Sequence, residues 1–194
     1  NLVNRTASMI AKSFGEIPAP GRPEPIDTAL LEAVAGGFAE VGGLIERHRQ
    51  RAALGEAMRL VGEANAYVTR TEPYKLKAPE QRERLATVLH TLAQAVTDLN
   101  TMLSPFLPHS ANDVDRVLGG DGTVAPMPRI EEVEDLDDGD PYPVITGDYG
   151  AGRVPIWESR PVAPGTPVAK PTPVFTKLDE DVVEAELARL REQA

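Results

Sequence analysis

Apolar positions recur at helical spacing from the first residues of the chain. Val3, Ala7, Ile10 and Phe14, with Leu2 and Met9 beside them, form one stripe, and Asn1, Arg5, Ser8 and Lys12 fall on the opposite face. No capping residue precedes this helix, which suggests that chain has been cut away upstream. Gly15 to Pro25 carries four prolines and reads as a connection. Asp27 is placed to cap the next helix, with Ile26 and Leu31 as a hydrophobic staple. Leu30, Leu31, Val34, Phe38, Val41, Leu44 and Ile45 carry the helical pattern onward. Gly36, Gly37, Gly42 and Gly43 each weaken it by roughly 1 kcal/mol relative to alanine, so either a neighbour approaches closely or the helix kinks.

A third helix is expected from Leu54-Gly55 to about Thr71, burying Ala57, Leu60, Val61, Ala64, Tyr67 and Val68. Pro73 stops it and Pro79 opens the next. There Leu85, Val88, Leu89, Leu92, Val96, Leu99 and Leu103 form the most regular stripe in the sequence, with His90 on its flank and no catalytic partner. Ser104-Pro105 ends that helix, and Pro108 opens a short fifth one closed by Gly119-Gly120. Short loops around one apolar seam predict an all-α bundle of about five helices over residues 1–118. Beyond it, ten of the eighteen prolines lie between Pro126 and Pro173, and seven of the ten residues Glu131–Asp140 are acidic, so 119–177 reads as an extended Pro/Gly/acidic segment. Gly147 to Gly152 has the composition of a phosphate loop, but no strand is legible before it and no helix after it. Residues 178–194 predict a docking helix, capped by Asp179, whose narrow stripe of Val182, Val183, Leu187 and Leu190 needs a surface to lie on.

Charge changes this picture less than its total suggests. The net charge of −10 comes entirely from residues 111–194, with 8 basic against 18 acidic residues; residues 1–110 hold 12 of each. The first half is therefore neutral with local basic patches. No uninterrupted apolar run of about 18 residues and no basic-then-apolar leader occur, so a membrane partner is not expected. The chain has no cysteine, which suits the cytoplasm, and its three histidines lack metal-ligand spacing, so no resident metal is expected.

The chemistry concentrates where the third helix stops. Glu72-Pro73-Tyr74-Lys75-Leu76-Lys77 puts an aromatic at a corner with two lysines beside it, the pairing of stacking face and positive charge that single-stranded nucleic acid needs. The plainer alternative is that Tyr74 plugs the helix end. Asn1 and Arg5 lie one turn apart and could read one planar partner together, or belong to an ordinary solvated face. Arg47, Arg49 and Arg51 cluster at the end of the second helix, either as phosphate contacts or as a complement to the helix dipole.

Taken in order, these stretches resemble one family, the bacterial methionine–tRNA ligases, in their anticodon-binding and C-terminal region. Asn1-Leu2-Val3-Asn4-Arg5 is similar to the start of that region, and Asn65-Ala66-Tyr67-Val68 through Leu76 to its second recognition segment. Leu103 to Ser110 is similar to the helix connection that follows, and Pro173 to Asp179 to the closing segment. The resemblance covers essentially the whole chain. It implies that Asn1, Arg5 and Tyr74 recognise the CAU anticodon of initiator and elongator methionine tRNA, with Tyr74 where the family usually has tryptophan. Arg47, Arg49, Arg51, Lys75 and Lys77 would contact the tRNA backbone, and the tail would fold towards the catalytic domain; neither DNA nor a membrane is implied as a partner. The family's nucleotide-binding signatures, His-Ile-Gly-His and Lys-Met-Ser-Lys-Ser, have no counterpart in these residues. ATP and Mg²⁺ would therefore act in the intact enzyme, this chain holding no catalytic residue and no cofactor. A non-catalytic protein-interaction bundle, and the anticodon domain of a related ligase for leucine or cysteine, are the two alternatives.

Overall fold

The computed structural model describes residues 1–134, 139, 141–147, 156–169 and 180–192. Five helices make the body: α1 (Leu2–Ser13), α2 (Pro25–Glu46), α3 (Gln50–Thr71), α4 (Arg82–Leu103) and α5 (Pro108–Val117). Short 3-10 turns at Pro73–Lys75 and Pro79–Gln81 join α3 to α4. A hairpin of β1 (Pro128–Glu134) and β2 (Pro141–Gly147) follows, and α6 (Glu180–Glu192) comes last among the described residues.

The centre is α4, against which α1, α2, α3 and α5 all pack. Its stripe from Leu85 to Leu99 is buried as the spacing predicts, with Met102 in the core and Leu103 half-buried at its edge. It is also buried on its polar side, at Thr87, Thr91, Gln94, Asp98 and Asn100. Buried polar groups need partners, and residues 156–169, a strap across the bundle, supply those of Gln94 and Asp98. The Gln94 amide donates to the Arg160 carbonyl (2.8 Å), and its own oxygen accepts from the Val162 N–H (2.9 Å). Ser159 donates to Asp98 (2.7 Å), whose carboxyl burial pushes up despite that bond and a second one from Gln94. Trp157 donates from its indole to the Phe38 carbonyl (2.8 Å) and stands edge-on to the Phe38 ring. At the far end Ile17 exchanges backbone bonds with Thr166 and Gly165, both 2.8 Å. His90 is a tether as well: its Nδ1–H donates to the Pro18 carbonyl (2.9 Å), holding the Gly15–Pro25 connection to α4.

Several local expectations are corrected. Helix α2 starts at Pro25 with Glu24 as its cap; Asp27 sits inside the first turn, accepting from the Glu24 N–H (2.8 Å). Helix α3 starts at Gln50, not near Gly55, because His48 takes a left-handed backbone (φ 57°) and reverses the chain in three residues. The glycines of α2 divide. A Cβ on Gly37 would collide with Leu60, and one on Gly42 would lie 2.6 Å from the Trp157 indole nitrogen, whereas Gly36 faces open space. Close approach, of α3 to Gly37 and of the strap to Gly42, therefore explains two of them. Among the described residues α2 is the one helix long and apolar enough to cross a membrane by length and composition, yet Val34 and Val41 are fully buried between α3 and α4.

The fold is all-α in its body, with one small antiparallel sheet among the described residues that sequence pattern did not announce. Its register pairs Ile130 with Ile145 and Val133 with Tyr142, and the β-branched run Val144-Ile145-Thr146 suits a strand. Acidic and proline residues mask the alternation. A strand thus does precede Gly147; residues 148–152 lie outside the described residues. So do residues 135–138 and 140 of the acidic run, and the 173–179 segment. The described side chains of α6 are exposed, including its stripe of Val182, Val183, Leu187 and Leu190.

A buried ion pair locks three helices together. Asp27 of α2, fully buried, accepts two bonds from the Arg84 guanidinium of α4 (2.5 and 2.9 Å) and one from the Tyr67 hydroxyl of α3 (2.6 Å). Burial pushes the Asp27 carboxyl up, but the bonds from Arg84, Tyr67 and the Glu24 N–H, with the Arg84 charge, hold it below its ordinary 3.8. Burial and the adjacent carboxylate push the Tyr67 hydroxyl strongly upward.

Two predictions follow from this packing. Gly36→Ala should stabilise the protein by about 0.5–1 kcal/mol, while Gly37→Ala should destabilise it, as read by denaturant midpoints. Arg84→Met strips a buried carboxylate of its counter-charge and should cost about 3 kcal/mol at pH 7. The pH profile carries the sign. In the wild type the folded pKa of Asp27 is lowered, so its stabilising contribution is present above pH 3.8 and is lost as pH falls through the lower folded value. In Arg84→Met burial dominates, so the deficit in melting temperature should shrink between pH 7 and pH 4.

Candidate nucleic-acid interface

The corner at the end of α3 is built by three successive devices. Glu72 ends the helix in a left-handed conformation (φ 43°, ψ 52°) with its N–H still bonded to the Val68 carbonyl (3.0 Å). Pro73 then starts a 3-10 turn closed by the Lys75 N–H on the Glu72 carbonyl (2.8 Å). Pro73 is buried and Leu76 packs on the core, so these two residues cover the helix end. Tyr74 is 48% exposed. An apolar ring left in water beside Lys75 and Lys77, both exposed, is available for stacking.

One carboxylate organises these groups. Glu72 Oε1 accepts from the Tyr74 hydroxyl (3.2 Å) and from Lys75 Nζ (2.7 Å). The hydrogen bond and charge of Lys75 hold the Glu72 carboxyl below its ordinary range, and the reciprocal contact raises the Lys75 ammonium. The role of Glu72 is not legible in the sequence, where an acidic residue before proline looks like any helix end; it takes a positive φ of 43° there.

The other candidates lie on other elements. Asn1 and Arg5 are both exposed on α1, four residues apart and joined by the Arg5 N–H on the Asn1 carbonyl (3.0 Å). Asn1 occupies the cap position but makes no side-chain cap bond, which leaves its amide free of that duty. Both α1 and the Tyr74 turn pack on α4. Arg47, Arg49 and Arg51 are exposed at the reversal between α2 and α3, beside a shallow concavity that His48 to Ala52 line. They sit at the opposite end of the 22-residue α3 from Tyr74, about 33 Å away along the helix. The structure joins Tyr74 with Lys75 through Glu72, with Lys77 exposed two residues further on, and it does not join them with the arginine cluster. No group of three or more potential metal ligands occurs among the described residues.

No family model matches the chain. Individual relatives do, across nearly all of it. It is 62% identical over 190 residues to a methionine–tRNA ligase of Nocardioides sp., covering 98% of this chain and 31% of that protein. It is 54% identical over 192 residues to the methionine–tRNA ligase of Salinispora arenicola, covering 98% and 32%. The chain belongs to the methionine–tRNA ligase family. It matches the C-terminal region of these ligases and spans about a third of the length of the curated relatives it matches. The fold agrees: the free Mycobacterium tuberculosis methionyl-tRNA synthetase superposes with a TM-score of 0.68 at 24% identity, covering 92% of this chain and 31% of that one. Its complex with methionyl-adenylate gives 0.67 at 25% identity, over 91% and 30%. Relatives named for methionine leave the leucine and cysteine alternatives without support.

Proposed function

We propose that this chain is the anticodon-reading part of a methionine–tRNA ligase, a cytoplasmic enzyme that in its intact form attaches methionine to its tRNA. The supporting observation is the half-exposed Tyr74 ring, held at a corner beside lysines in a chain of this family. Tyr74 offers its face to an anticodon base, and Asn1 and Arg5 supply a planar amide and a guanidinium that can read base edges. Lys75, Lys77 and the Arg47, Arg49, Arg51 cluster meet phosphates, which supply affinity without sequence information. The arginines lie far enough along α3 to meet the stem while Tyr74 meets the loop. Initiator and elongator methionine tRNA share the anticodon and are both partners. The remaining part of the ligase binds ATP and Mg²⁺ and performs the transfer; the exposed stripe of α6 suits a contact with it.

Two measurements test this reading. Tyr74→Ala in the intact enzyme should weaken methionine tRNA binding tenfold or more, since a base stack is worth about 1–3 kcal/mol, with the melting temperature unchanged. Tyr74→Trp should bind at least as well. Arg5→Ala should lower discrimination against an altered anticodon, and Arg49→Ala should weaken all tRNAs alike with a flatter salt dependence. Normal binding by a Tyr74→Ala protein that melts early would make the ring a structural plug. The chain by itself should give no ATP–pyrophosphate exchange; detectable exchange would place the chemistry within these residues.

A further inference from the structure

At the Tyr74 corner two hydrogen-bond donors converge on a single anionic oxygen. Lys75 Nζ and the Tyr74 hydroxyl both reach Glu72 Oε1, at 2.7 and 3.2 Å. The three residues are contiguous apart from Pro73, and the side chains of Glu72 and Lys75 are 40% and 64% exposed, so solvent and solutes have access to the cluster. Glu72 adopts φ 43°, one of two positive-φ residues other than glycine among the described residues. An ammonium and a hydroxyl meeting at one anionic oxygen form the donor set of a phosphate contact, here filled by a carboxylate from the same turn.

We propose that Lys75 and the Tyr74 hydroxyl form a phosphate seat for RNA, and that Glu72 fills it in the free chain as a displaceable anion. The inference rests on the anticodon reading above and adds to it an affinity-limiting residue. An exposed ion pair of this kind is weak, so an RNA phosphate next to the stacked base can take the ammonium from Glu72. The displaced carboxylate then stands beside the RNA backbone and repels it. Glu72 thereby lowers affinity for every RNA alike and eases release, leaving the choice among anticodons to the ring and to Asn1 and Arg5.

The test is a binding titration of the intact enzyme with a CAU anticodon stem-loop and an altered-anticodon stem-loop, over a range of salt. Glu72→Gln keeps an equally long side chain for the left-handed position and removes only the charge. It should bind both RNAs about threefold more tightly at low salt, with their ratio unchanged and the salt slope steeper by about one, because no freed carboxylate then takes up a cation to offset the counterion that the phosphate releases. Lys75→Gln should weaken both RNAs, and adding it to Glu72→Gln should abolish the gain. Weaker binding by Glu72→Gln, an unchanged salt slope, or a gain that survives Lys75→Gln would overturn the seat. Tyr74→Ala keeps the two ideas apart. If it loses CAU binding while Glu72→Gln changes nothing, only the phosphate seat fails; if it binds normally, the anticodon reading itself fails.

Discussion

The fold depends on satisfying one buried carboxylate. Asp27 has no access to solvent, and it is tolerable there only because Arg84 and Tyr67 reach it from two other helices. That requirement fixes how α2, α3 and α4 lie against one another at one end of the bundle. It also fixes the corner. Tyr67 lies one turn before the end of α3, where the Thr71 hydroxyl bonds to its carbonyl (2.8 Å), and Glu72 and Pro73 follow at once. The direction in which Tyr74 leaves the bundle is therefore set by polar bonds made inside it. The exposed ring stands on a rigid base.

The same logic governs α4. A helix with neighbours on every side cannot keep a solvated polar face, and its Gln94 and Asp98 find partners in the strap instead. The 156–169 segment belongs energetically to the helical body for this reason, although its composition is that of a linker. Trp157 makes the clearest case, with its indole over a glycine of α2 and its N–H on the Phe38 carbonyl.

What the sequence made legible follows from which effects are local. The helices, the stripe from Leu85 to Leu99 and the corner at Pro73 all follow from periodicity and from the backbone limits of proline, which act within a few residues. The Asp27–Arg84 pair, 57 positions apart, and the Trp157–Phe38 contact, 119 apart, leave no trace in any window of the sequence. The start of α3 is not legible because Gly55 reads as a breaker, while the actual reversal uses His48 at positive φ. The hairpin was hidden by the same acidic and proline residues that made its surroundings read as extended chain. Glu72 is not legible for a related reason: it takes a backbone angle that its residue type does not announce.

The central claim is that a rigidly based Tyr74 receives an anticodon base while its neighbours handle phosphate. The most direct measurement is a structure of the intact enzyme bound to methionine tRNA. The account predicts an anticodon base lying flat on the Tyr74 ring, with the Asp27–Arg84–Tyr67 bonds unchanged beneath it. An anticodon loop seated elsewhere on the protein, with the Tyr74 ring still in water, would contradict it.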